Sequence, residues 1–194
     1  YKFRCRATDN AGHIGHRPAT EQASTSVDTT IPSISFVYDG TGADESYLLN
    51  STTISANWSG ADGESGIQKY EYAIGTSSGG SDTLGWTNAS LNTSFTNNTL
   101  SLANAATYYV TVRAYNNAGL TFEKTSNGIL VDTNAPTATI TLPSSAYTAT
   151  ADFTVSWSGS EGAGESGLSN YQVQYKDGAG AWTDWAPSPT TDTS

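Results

Sequence analysis

YYVTVRAYNNAG, residues Tyr108 to Gly119, is the stretch from which the rest of the chain is read. Tyr108, Val110, Val112 and Ala114 alternate with more polar neighbours, the period-two pattern of a half-buried β-strand. The Asn-Asn-Ala-Gly that follows is a turn signal. A near copy, YKFRCRATDNAG, occupies Tyr1 to Gly12. There Phe3, Cys5 and Ala7 share one side, which predicts Cys5 as a small buried core residue. It is the one cysteine, so no disulfide can form within the chain, and a reactive or intermolecular thiol is the other reading.

Two further phrases recur in the same order. VDTTIPS at Val27 to Ser33 returns as VDTNAPT at Val131 to Thr137, a period of 104 residues. WSGADGESGIQKYEY, Trp58 to Tyr72, returns as WSGSEGAGESGLSNYQV, Trp157 to Val173, lengthened before its GESG. Three phrases repeating in order define a tandem repeat. They divide the chain into residues 1–28, the tail of one module, 29–132, a whole module, and 133–194, the front of a third. The divisions fall at the two VDT…P phrases, where proline restricts its own backbone and that of its predecessor, so the joints are expected to be short and stiff.

Within the whole module the expected strands are 33–38, 53–58, 69–74, 108–115 and 127–131, separated by glycine and Asn/Asp clusters. Nothing shows a sustained helical period. About seven short strands per ~100 residues indicate an all-β architecture of antiparallel sandwiches, one complete and two partial. Charged residues are only 13% of the chain, and the net charge of −10 with eight Lys plus Arg leaves no broad basic face for nucleic acid. No apolar run approaches the ~18 residues of a membrane helix.

The residues resemble fibronectin type III and related bacterial immunoglobulin-like modules of large secreted or cell-surface proteins. The match rests on Trp58, on Tyr70 and Tyr72, and on Leu102 standing six residues before Tyr108. It implies that Trp58, and Trp157 at the same repeat position, pack between the sheets, and that the Tyr108 hydroxyl returns to the backbone before strand F. On the same basis residues 1–28 correspond to strands F and G, and 133–194 to strands A, B, C and C′. A strand pair exposing Phe3 and Cys5 is not stable alone. Either the stretch belongs to a longer array, or the tail of one copy completes the front of another by strand addition.

Chemistry is sparse. His13 and His16 fall in a turn, and no further His or Cys supports a metal site there. The whole module contains no histidine, which excludes a histidine-based triad there. Asp62 and Glu64 in one loop, echoed by Glu161 and Glu165, can cap backbone amides or contribute to a Ca²⁺ site, as can Asp28 and Asp132 at the joints. Asp39, Asp44 and Glu45 form another acidic stretch. Trp86, Trp182 and Trp185 are candidates either for packing or for stacking on a sugar. Sequons begin at Asn50, Asn57, Asn88, Asn92 and Asn97 and permit glycosylation. These readings converge on a non-enzymatic structural or adhesive repeat, extracellular or at the cell surface, needing no cofactor and partnered by copies of itself, neighbouring repeats, other surface proteins or polysaccharide. The alternative is a carbohydrate-binding or spacer region of a secreted multidomain enzyme.

Overall fold

Alternating side chains become paired strands once a second sheet covers their apolar side, and the middle of the chain meets that condition. The computed structural model describes residues 1–141, 149 and 154–184. The first segment contributes β1 (Lys2–Phe3) and β2 (Ala23–Ser24), which pair only with each other. The middle segment contributes β3 (Ser33–Asp39), β4 (Tyr47–Leu48), β5 (Ile54–Ala61), β6 (Ile67–Gly75), β7 (Leu84–Ser90), β8 (Ser94–Asn97), β9 (Thr107–Asn116), β10 (Thr121–Thr125) and β11 (Ile129–Val131). The last contributes β12 (Thr137–Thr141), β13 (Ser156–Ser160), β14 (Gln174–Tyr175) and β15 (Thr183–Asp184), pairing as β12–β13 and β14–β15. The protein is all-β, with no helix among the described residues, hence none long and apolar enough to cross a membrane.

Two sheets enclose the middle core. One is ordered β3–β5–β8, the other β4–β11–β9–β6–β7, with β10 also on β9. All pairings are antiparallel except β4 on β11, which is parallel. Ile54, Ala56 and Trp58 of β5 face Tyr70, Tyr72 and Ile74 of β6 and the stripe Tyr108, Val110, Val112 and Ala114 of β9, all in one buried cluster. Trp58 is 3% exposed and meets Tyr70 edge-on at 5.8 Å, while Tyr72 stacks on Phe95 at 3.9 Å. Such ring geometries add to burial of the rings themselves. Leu102 is buried, and the Tyr108 hydroxyl accepts the Ala103 amide at 2.9 Å.

The repeated WSG phrase has a steric cause. A Cβ on Gly60 would lie 2.8 Å from the Tyr70 hydroxyl oxygen and 2.9 Å from the Ser33 carbonyl oxygen. Tyr70 lies flat over the glycine and donates its hydroxyl proton to the Gly60 carbonyl at 3.0 Å. In the third segment Gly159 stands in the same relation to Tyr171 and Thr137, with 2.9 Å to each. Trp157 is buried against the residues around it.

Cys5 is not a core residue; it is exposed and free. Its segment alternates as β9 does, but among the described residues β1 and β2 pair only with each other, and Phe3 is 56% exposed. The glycine's tight contact yields a direct expectation. Gly60→Ala should destabilise the middle segment by about 2 kcal/mol, the cost of forcing a methyl into a filled site. Urea unfolding would show a lower midpoint at unchanged slope.

Candidate functional site

Asn116 ends β9 with its side chain fully buried, so every one of its polar atoms needs a partner. Its carbonyl oxygen accepts the Ala118 and Leu120 amides at 3.1 and 2.8 Å, closing the Asn-Asn-Ala-Gly turn. Its amide donates to Asp28 Oδ2 at 2.8 Å, to the Thr30 carbonyl at 3.0 Å and to Asp62 Oδ2 at 3.2 Å. Asp62 Oδ1 in turn accepts the Glu64, Ser65 and Gly66 amides at 3.2, 2.9 and 2.8 Å. The Ser65 hydroxyl donates to Asp28, and the Thr30 hydroxyl to Glu64 at 3.1 Å. The amide cap of this loop is therefore Asp62, while Glu64 reaches back to Thr30 in the segment before β3.

These contacts set the charge state. The Ser65 hydroxyl, opposed by burial and helped by the Thr30 amide, holds the Asp28 carboxyl below its usual range. Burial pushes Asp62 upward, but the Asn116 amide and the three loop amides together carry it below the usual value. Both stay ionised at neutral pH and act as acceptors.

The second joint uses the same positions with different contacts. Asp132, 4% exposed, accepts the Ser166 amide at 3.0 Å and is held below the usual carboxylate range chiefly by Ser166. Glu165 caps the Gly162 amide at 2.7 Å, and its other oxygen accepts both the Asn104 and Asn134 amides at 2.5 Å. Asn104 also accepts the Thr133 amide and hydroxyl at 2.7 and 2.9 Å. One carboxylate oxygen from each of Asp132, Glu161 and Glu165 lies within 4.8 Å of the others, the closest approach to a hard-cation ligand set among the described residues. Asp28, Asp62 and Glu64 form no such group; their oxygens are taken by amides and hydroxyls.

Asp39 ends β3 completely buried. One oxygen accepts the Gly128 amide at 3.1 Å and the other has no hydrogen-bond partner. Burial, with the Asp44 carboxylate nearby, pushes its carboxyl up to about 6 despite the Ser126 hydroxyl and Gly128 amide. Glu45 lies on the same connection, its side chain against Gly40.

Trp86 and Trp182 each carry a cation over the ring. Trp86, on β7, has the Arg113 guanidinium 3.9 Å from its ring centre, and Arg113 is itself paired with Glu123 at 2.6 Å. Trp182 is 61% exposed with the Lys176 ammonium 5.0 Å from its ring. Trp185 lies outside the described residues. His13 bonds Asp9 at 2.8 Å and both histidines are exposed. Among the sequons, Asn50, Asn88 and Asn92 are exposed and Asn97 half-buried; Asn57 differs, because its amide donates to the Gly40 and Gly42 carbonyls at 3.1 and 3.0 Å. That bonding occupies the nitrogen a glycan would need.

No family model matches the chain, and no curated protein matches it in sequence.

The buried Asp39 carries a sign that can be worked out. In the fold it keeps its proton up to about 6, whereas the unfolded chain releases it near 3.8. Its favourable contribution is therefore complete below 3.8 and lost as pH rises through about 6. Asp39→Asn, neutral throughout, should gain stability relative to the native chain across that window and keep a constant difference above it. Equilibrium unfolding of both proteins over a pH series reads the difference, and a flat line would refute the buried-acid description.

Proposed function

We propose that the chain is a structural or adhesive repeat segment of a long extracellular or cell-surface protein, a stalk, surface layer or filament, built from fibronectin III-like, immunoglobulin-like sandwiches. The observation that carries this reading is the bonded joint. Asn104 and Asp132 of residues 29–132 meet Glu165 and Ser166 of the next repeat at 2.5 and 3.0 Å. Each repeat is a bead whose orientation is restrained by its neighbour's loop as well as by the proline that follows the joint. The mechanism is mechanical: beads resist extension and joints resist bending.

The exposed faces of the outer segments fit the same picture. Phe3 stands where Val110 stands in the whole module; Val110 is fully buried and Phe3 is open. Ile140 is half exposed beside Trp157 and Val173. Adjacent repeats supply the missing sheets, either along one polypeptide or by strand complementation between chains.

Removing both joint anchors, Asp132→Ala with Glu165→Ala, should loosen the joint without unfolding the middle segment. Small-angle scattering would then show a broader distance distribution than the native chain's, and identical curves would count against a restraining joint. The second reading, a carbohydrate-binding region of a secreted enzyme, rests on Trp182, whose ring is open to solvent. Titration with soluble polysaccharide should leave tryptophan fluorescence unchanged if the segment is structural. Saturable quenching abolished by Trp182→Ala would favour the carbohydrate reading instead.

A further inference from the structure

Between β10 and β11 the strand is interrupted at Ser126, Asn127 and Gly128. Glycine is required at 128: its φ is +95°, and a Cβ there would lie 2.7 Å from the Tyr109 ring and 2.9 Å from the Thr107 methyl. The residue before it is an exposed asparagine. An Asn-Gly pair is the dipeptide most open to internal attack of the backbone nitrogen on the side-chain carbonyl carbon, because no Cβ on the following residue blocks the approach.

Both reacting nitrogens are held by carboxylates here. The Gly128 N–H donates to Asp39 Oδ2 at 3.1 Å, within the distance a general base needs. The Asn127 Nδ2, which would leave, donates to Asp44 Oδ2 at 2.8 Å. Asp44 in turn accepts the Asp39 amide at 2.9 Å, so the two acids form one braced unit.

We propose that Asn127 is a self-catalysed deamidation site in which the Asp39 carboxylate is the general base and Asp44 positions the departing amide. Asp39 takes the proton of the Gly128 N–H as that nitrogen bonds to Asn127 Cγ. The Cγ–Nδ2 bond breaks, a proton reaches the leaving nitrogen through solvent at the exposed side chain, and ammonia departs. The resulting five-membered succinimide adds water across either of its C–N bonds, giving aspartate or isoaspartate at 127. Nothing is oxidised or reduced, and water is the only co-reactant. The product places a carboxylate where an amide had donated to Asp44, so a bond between the β3–β4 connection and the strand leading into β11 becomes a repulsion.

The charged groups around Asp39 make its carboxylate a stronger base than an ordinary one. Asp44 and Glu45 on the β3–β4 connection are both acidic; Ala56, opposite Asp39 on β5, is uncharged; Lys124 on β10 donates to the Ser35 carbonyl instead. Burial raises the carboxyl to about 6, which leaves it largely ionised at neutral pH yet more basic than an ordinary carboxylate.

The test is to incubate the intact chain, folded and in parallel in concentrated urea, over a pH series, and to quantify acid and isoaspartate at 127 by peptide mass mapping. In the folded chain, conversion should outpace that in urea at neutral pH and level off once Asp39 is ionised, above about 6. In urea it should keep climbing with hydroxide. Asp39→Ala should slow the folded-chain reaction by a factor on the order of 100. Slower conversion folded than unfolded, a folded rate proportional to hydroxide throughout, or an unchanged rate in a folded Asp39→Ala chain would each overturn the proposal. If that variant does not fold, the native chain's pH profile decides alone.

Discussion

The apolar stripe of β9 has to be covered, and most of the middle segment follows from how that is done. Tyr108, Val110, Val112 and Ala114 are buried only because β5 and its neighbours lie opposite and β6 and β10 flank them. Hydrophobic burial of this kind is non-directional, so it selects a sandwich arrangement without choosing its details. The details come from polar groups at the strand ends. Asn116, placed by the same strand, reaches back to Asp28 and Asp62 and so fastens the entry of the module to its loop. The parallel contact of β4 on β11 adds a second fastening at the other end, beside buried Asp39.

How much of this was legible depends on the scale of the interaction. The strands of the middle segment and the inward sides of Trp58 and Tyr108 are written in alternation, a local signal. Cys5 shows the limit of that signal. Its alternation is as clear as that of Val112, yet burial needs a second sheet, and alternation says nothing about whether one is present. Asn116 and its counterpart Asp9 were visible as a repeated Asx before Asn-Ala-Gly, and both accept turn amides two and four residues on. What could not be seen was that the buried Asn116 amide serves three acceptors from distant parts of the chain. Asp39 was legible only as part of an acidic stretch, with no sign of its burial, and Asn104 gave no pattern at all, since neither its spacing nor its neighbours mark it. Trp86 was open between packing and stacking, and the deciding fact, a guanidinium over its ring, belongs to a strand 27 residues away.

Both joints are fastened across their boundary by an aspartate, Asp28 at one and Asp132 at the other. At Asp28 the donors, the Thr30 amide, the Ser65 hydroxyl and the Asn116 amide, all lie beyond the boundary in residues 29–132. At Asp132 the donors and acceptors come from both sides of the boundary, and three carboxylates draw together in the process. Like charges at that distance repel, and the asparagine amides and the Ser166 amide donate to two of the three, Glu165 and Asp132. Glu165, in a loop two residues longer than its counterpart, reaches across to Asn104.

That reach bears on how such a chain can change over generations. A repeat whose boundary contacts are all internal can be duplicated, deleted or exchanged like a bead on a thread. A repeat whose Asn104 is matched to the following repeat's Glu165 cannot be moved without a suitable successor. Recombination that separates the two would leave an amide facing an unmatched loop. In this chain side chains on the two sides of residue 132 are matched to each other, Asn104 to Glu165 and Asp132 to Ser166.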